Sequence, residues 1–272
     1  MQGTPSSAPR DAWASKAGFI LAAVGSAVGL GNMWRFSYVA SQGGGAAFVL
    51  AYLILVAIIG IPLMTSEFVV GRLARVSPAK ALPQLGGRAW TPLGWIFVFA
   101  GLVILSYYSV IAGWTMRYAW TALSVGLPSD AGGFFSEVAS GPQAIAWHVV
   151  FMALTIIIVA GGIKRGIERA AVILMPALFV ILIGLAVYSF FLPGSSAGYA
   201  FYLNPSLGDL FDPQILGQAA GQAFFSLSLG MGAMITFASY LKGKGDLAKE
   251  ATIVSLADFG VAFLAGLVVF PI

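Results

Sequence analysis

The chain has 272 residues, 59% of them hydrophobic and only 9% charged, with a formal charge of +4 and no cysteine. Soluble domains carry roughly a quarter charged residues, so this composition describes an integral membrane protein; without cysteine it has no disulfide framework, thiolate metal site or cysteine nucleophile. The positive balance does not mark a nucleic-acid partner, because Lys and Arg are spread over short loops between apolar runs rather than gathered on one polar face.

A membrane span needs roughly 20 apolar residues. By that measure a polar segment, 1–16, precedes seven spans at about 17–39, 46–71, 92–123, 144–162, 169–192, 215–241 and 252–272. The first lacks a small-residue cleavage pattern and leads directly into further spans, so it reads as a retained helix and not a signal peptide. Alternate loops differ sharply in charge. One set holds Arg10 and Lys16, then Arg72, Arg75, Lys80 and Arg88, then Lys164, Arg165 and Arg169, then Lys242, Lys244 and Lys249, which is 12 of the 14 basic residues. The other set, around 124–143 and 193–214, holds Asp130, Glu137, Asp209 and Asp212 and no Lys or Arg. Basic loops stay in the cytoplasm, which places the N-terminus inside a multi-pass cell-membrane protein. The apolar residue Ile272 ends the chain within a span, and the expectation is part of a longer protein.

Two spans are interrupted. The first contains Gly25-Ser26-Ala27-Val28-Gly29-Leu30-Gly31-Asn32-Met33-Trp34-Arg35-Phe36, and the sixth contains Ser226-Leu227-Ser228-Leu229-Gly230-Met231-Gly232-Ala233-Met234-Ile235-Thr236-Phe237. Laid over each other, Gly29, Gly31, Met33 and Phe36 match Gly230, Gly232, Met234 and Phe237. Broken backbone at membrane depth persists only where protein or a water-filled cavity satisfies it, and paired breaks in two repeats point to a transporter's binding site.

With these two segments, the motifs Gln42-Gly43-Gly44-Gly45-Ala46-Ala47-Phe48, Gly60-Ile61-Pro62-Leu63 with Glu67 and Gly71-Arg72, the pair Tyr107-Tyr108, and Gly221-Gln222-Ala223-Phe224-Phe225 resemble the neurotransmitter:sodium symporter family, in particular its bacterial amino-acid transporters. The resemblance covers nearly the whole chain. It implies an all-α polytopic bundle with inverted repeats and broken helices 1 and 6: a first five-helix repeat over 17–192, an outer loop over 193–214 and the start of the second repeat over 215–272. It also implies sodium-coupled import of hydrophobic or aromatic amino acids, with sodium ions as co-substrate.

Residue by residue, the resemblance assigns a first sodium site to the Ala27 carbonyl, Asn32, Ser226 and Asp258, and half of a second to Gly25 and Val28. The oxygen donors suit a hard cation. Substrate contacts fall to Ala27, Leu30, Gly31, Ile104, Tyr108, Phe225, Ser226, Ser228 and Met231. Arg35 and Phe225 match an outer gate, Arg10 and Trp13 an inner one, and Tyr52, Gln222, Ser226 and Asp258 the chloride site of chloride-dependent members. At Asp258 the family usually carries an amide and at Ala262 some members carry glutamate, so here a fixed carboxylate stands where chloride could be replaced. Gly29 occupies the position of an aspartate in monoamine members, so a substrate must bring its own carboxylate. Glu67 resembles a carboxylate that accepts N–H groups from the broken helices, a structural role.

Each assignment has a plainer reading. Asn32 could merely cap a half-helix, Tyr108 could belong to an aromatic belt, Met231 could be ordinary packing, Arg10 a positive-inside anchor, and Asp258 an interfacial carboxylate near Lys249. For the whole chain the competitors are a truncated, non-transporting scaffold, a seven-helix receptor-like protein, and a membrane enzyme. The last span has no Lys for a Schiff base, and no nucleophile–base pair or metal cluster is visible.

Overall fold

The computed structural model describes residues 11–243 and 245–272, and helices account for most of them. The first span is two helices, α1 (Lys16–Ala27) and α2 (Gly31–Gln42), bent by 51° at the break. Ser15 starts α1 by accepting the Gly18 N–H on its hydroxyl at 2.8 Å, an ordinary N-cap. Next come α3 (Ala46–Ala74), the short α4 (Pro78–Gly86) and the long α5 (Thr91–Ser124). A loop helix, α6 (Ala131–Ala139), precedes α7 (Gly141–Ala160) and α8 (Ile163–Phe190). A second loop helix, α9 (Ser195–Leu203), leads to α10 (Pro213–Ser226) and α11 (Ala233–Ala238), and α12 (Leu247–Val269) closes the described chain.

Five helices are long and apolar enough to cross a membrane, six if the bent pair counts as one span. The sixth expected span, 215–241, differs because six non-helical residues, 227–232, divide it into pieces of 14 and 6 residues. Two helix starts also fall earlier than hydropathy places them. α8 begins at Ile163 in a π-helical turn, since Gly162 at φ +72 reverses the chain at once and the charged residues 164–169 wind into the helix. α12 begins at Leu247 because Asp246 caps it, its carboxylate accepting the Lys249 N–H at 3.1 Å.

The buried core lies where α1, α3, α10 and α12 meet, around fully buried Phe19, Phe48, Tyr52, Met64, Phe68 and Val254. Of the membrane-length windows, 44% of α3 and 39% of α12 are buried, against none of α7; α3 and α12 are central and α7 is peripheral. Small residues set the close approaches, as is general between membrane helices. At Gly71 an added Cβ would press on the Ile235 carbonyl and the Ala238 side chain, which seats α3 against α11.

Candidate functional site

The two breaks lie side by side, and side chains supply what their backbones lose. In the first, Gly29 N–H donates to Asn32 Oδ1 (2.9 Å) and Gly31 N–H donates to Tyr108 Oη (2.9 Å), while the Gly31 carbonyl accepts from Gln222 Nε2 (3.0 Å). In the second, Gly230 N–H donates to Glu67 Oε1 (2.8 Å), in keeping with the structural role expected of that carboxylate. Ser228 Oγ donates to the Ser26 carbonyl (3.2 Å), so one break is tied directly to the other. Ser228, Gly230 and Gly232 all have left-handed φ, +54°, +76° and +71°. Ser228 holds this conformation against the cost a Cβ imposes there.

Beneath the breaks is a cavity of about 340 Å3. It is lined by Gly25, Ala27, Val28, Gly31 and Gly29 from the first break, Phe225, Ser226, Ser228 and Met231 from the second, and Ile104 and Tyr108 from α5. Met231 thus faces the cavity. Leu30 lines instead a neighbouring cavity of about 430 Å3 with Trp34, Arg35, Tyr38 and Tyr107. Gly101, Leu105 and Ala233 also line the first cavity, and the sequence reading missed them. The signal was present: 101, 104, 105 and 108 follow the i, i+3, i+4, i+7 spacing of one helical face.

Asp258 is fully buried at the centre of a polar cluster. Asn32 Nδ2 donates to its Oδ1 (2.7 Å), Ser226 Oγ donates to Oδ1 (2.9 Å) and Oδ2 (2.7 Å), and Tyr52 Oη donates to Oδ2 (3.0 Å). Asn32 Nδ2 also reaches Ser226 Oγ (3.0 Å). A buried carboxylate is tolerable only with such compensation, and the interfacial reading of Asp258 is excluded. Gln222, expected beside Asp258, turns to the Gly31 carbonyl and to Arg35 Nη1, which donates to its Oε1. No described cluster of three or more His, Cys, Asp or Glu side chains could hold a metal. The donor set is mixed: amide, hydroxyl, carboxylate and the carbonyls freed at the end of α1, which suits a monovalent hard cation better than a transition metal.

Of the expected gate residues, Arg35 stacks over the Phe225 ring at 5.1 Å, beside the neighbouring cavity that Leu30 lines. Trp13 Nε1 donates to the Phe237 carbonyl (2.8 Å) and its ring stacks on Phe237 at 5.5 Å; Arg10 lies outside the described residues. Sequence reasoning also missed Glu168, which accepts the Ala14 and Ser15 N–H groups and the Ser15 hydroxyl at 2.8–3.2 Å and so anchors the start of α1 to α8. A lone acid among the basic residues 164–169 was its only trace in the sequence.

A membrane bundle in which two broken helices face each other across a cavity, with a fully buried carboxylate between them, defines a secondary-transporter class of protein. Residues 10–137 and 135–272 match the sodium:neurotransmitter symporter family, and the chain belongs to that family. It is 42% identical over 265 residues to the uncharacterized sodium-dependent transporter YhdH of Bacillus subtilis, covering 95% of this chain and 58% of that protein. The human sodium-dependent neutral amino acid transporter SLC6A17 is 33% identical over 300 residues, covering 97% of this chain and 41% of the relative. Among solved structures, MhsT in complex with L-phenylalanine superposes with a TM-score of 0.90 at 46% identity, covering 97% of this chain and 61% of that one. The chain therefore spans little more than half the length of its bacterial relative. The family is one of transporters, so the receptor-like, enzyme and scaffold readings are not favoured.

Proposed function

We propose that this chain carries the substrate and first sodium site of a symporter that imports hydrophobic or aromatic L-amino acids with sodium, by alternating access. The observation that carries the reading is the cavity itself: its lining combines freed backbone groups and the Tyr108 hydroxyl with apolar Ile104, Phe225 and Met231, and has glycine where a cationic ligand without a carboxylate would need an acid. A zwitterion's carboxylate is matched to the N–H groups at the start of α2 and to the Tyr108 hydroxyl, where the helix dipole favours an anion. Its ammonium is matched to the carbonyls at the end of α1 and around Ser226. The apolar wall takes the side chain, and the flexible thioether of Met231 accommodates more than one shape.

In this reading sodium takes the Ala27 carbonyl, Asn32 Oδ1, Ser226 Oγ and Asp258. The Gly25 and Val28 carbonyls contribute half of a second site, and Asp258 supplies the negative charge that chloride supplies elsewhere in the family. Residues 17–192 form the first repeat and 215–272 the opening of the second, with the broken helices rocking as a unit between Arg35–Phe225 at one mouth and Trp13 with Arg10 at the other. Phenylalanine uptake by the full-length protein in proteoliposomes tests the proposal. Uptake should need an inward sodium gradient, and equal uptake with potassium in place of sodium refutes it.

A further inference from the structure

The end of the bundle that carries the basic loops holds another cavity, of about 350 Å3, between the start of α1, the end of α3, residues 241–243 and 245, and the first turn of α12. Lys16, Arg72, Lys242 and Glu250 line it. Glu250 is only 2% exposed; its Oε1 pairs with Lys16 Nζ at 2.9 Å, and its buried Oε2 has no hydrogen-bond partner among the described residues. Arg72 Nη1 donates to the Gly245 carbonyl at 2.9 Å. Gly245 stands between the two charged groups, since a Cβ there would lie 2.6 Å from Glu250 Oε1 and 3.8 Å from Arg72 Nη1. Among the described lining residues Lys16 offsets Glu250, which leaves Arg72 and Lys242 as the net charge. Two cations call for an anion, and an orphaned carboxylate oxygen calls for a hydroxyl or N–H donor.

Beside this cavity, sharing Arg72 and Gly245 with it, runs a groove of about 440 Å3 between α3 and α12, walled by Val69, Leu73 and Leu247. Leu73 is 65% exposed. The acid on this groove, Asp246, is engaged in capping α12. A polar, net-cationic pocket that opens onto an apolar groove at the end of two membrane helices has the form of an amphiphile; a free phosphate accounts for the pocket and leaves the groove unexplained. Basic pockets between membrane helices recognise anionic headgroups in general.

We infer that the two cavities together bind one anionic phospholipid whose headgroup carries free hydroxyls, of the phosphatidylglycerol class. The phosphate sits between Arg72 and Lys242, a headgroup hydroxyl donates to Glu250 Oε2, and an acyl chain follows Val69, Leu73 and Leu247. Native mass spectrometry of the detergent-purified protein tests this with phosphatidylglycerol, phosphatidylcholine and glycerol phosphate as probes. Phosphatidylglycerol should bind in preference to phosphatidylcholine. Each cation removed should weaken it about fivefold, so R72Q/K242Q loses roughly 25-fold. Leu73→Trp, which crowds the groove without altering charge, should weaken the lipid and leave glycerol phosphate binding unchanged. Far-UV circular dichroism checks the fold, and Lys242→Gln alone, at an exposed loop position, keeps the test open should the double variant misfold. Equal binding of the two lipids, or phosphatidylglycerol binding unmoved by the charge variants, overturns the inference. So does glycerol phosphate binding as tightly as the lipid with no effect of Leu73→Trp, which would make this a site for a soluble phosphate.

Discussion

A Cβ added at Gly29 would lie 2.9 Å from the Tyr108 hydroxyl, so this position has no room for a side chain while Tyr108 holds the Gly31 N–H. Gly29→Asp adds a charge to that crowding, beside the carboxylate the substrate brings. Two like charges about 4 Å apart repel by roughly 4 kcal/mol at an effective dielectric near 20. Amino-acid uptake should therefore fall to below about a hundredth of wild type, read by labelled phenylalanine uptake in the full-length protein; normal uptake would sink the pocket assignment. Asp258 makes the complementary case. Its carboxylate gathers Asn32, Ser226 and Tyr52 around a fully buried charge, and a neutral amide keeps the shape while deleting the charge. Asp258→Asn should abolish uptake or make it depend on added chloride. Undiminished uptake in chloride-free buffer would reduce Asp258 to a structural residue. That Asp258 lies within a span could be read from the sequence; that Gln222 turns away from it could not, because the choice was made by Arg35 and the Gly31 carbonyl arriving from another helix.

At the scale of elements, the break between α10 and α11 depends on backbone that L-residues avoid. Gly230 (φ +76) has open space where a Cβ would go, whereas at Gly232 (φ +71) a Cβ would meet Pro78 Cγ at 2.5 Å. Gly230→Ala should cost about 1 kcal/mol of stability for the conformation alone. Gly232→Ala adds a steric conflict with α4 and should cost roughly 3 kcal/mol. Thermal midpoints of the two purified variants check the order, and equal midpoints would mean that α4 does not pack against the break. Existence and type of the elements were legible because apolar runs of membrane length admit only a helix. Their ends were less so. Hydropathy sees the charged residues 164–169 as a loop, but Glu168 is needed at the start of α8 to accept the Ala14 and Ser15 N–H groups, a demand set by a segment about 150 residues away.

For the whole molecule, orientation rests on charge: the loops around 124–143 and 193–214 carry acids and no bases. Two of those acids, Asp130 and Asp212, also cap α6 and α10 through the Gly133 and Gln214 N–H groups at 2.9 and 2.7 Å. This chain has no cysteine of its own, so a single cysteine placed in it reports the sidedness of its loop. A membrane-impermeant maleimide applied to intact cells should label Asp209→Cys and leave Arg165→Cys unlabelled until the membrane is opened. The reverse pattern would invert the topology.

Hydropathy, the charge bias of the loops and the two glycine-broken segments follow from composition and local order, so the sequence by itself determined a membrane bundle, its expected orientation and the two helices that must break. Lipid offers the backbone no hydrogen bonds, and that constraint acts on each segment independently. Which groups repair the breaks was decided only in three dimensions. Tyr108 from α5, Glu67 from α3 and Gln222 from α10 reach Gly31 and Gly230 across helix interfaces, and the pairing of Glu250 with Lys16 likewise joins helices more than 200 residues apart. A donor's need for an acceptor is written in the sequence, but the acceptor that meets it is fixed by packing, because many polar side chains are chemically able to serve and only the folded chain brings one of them within 3 Å.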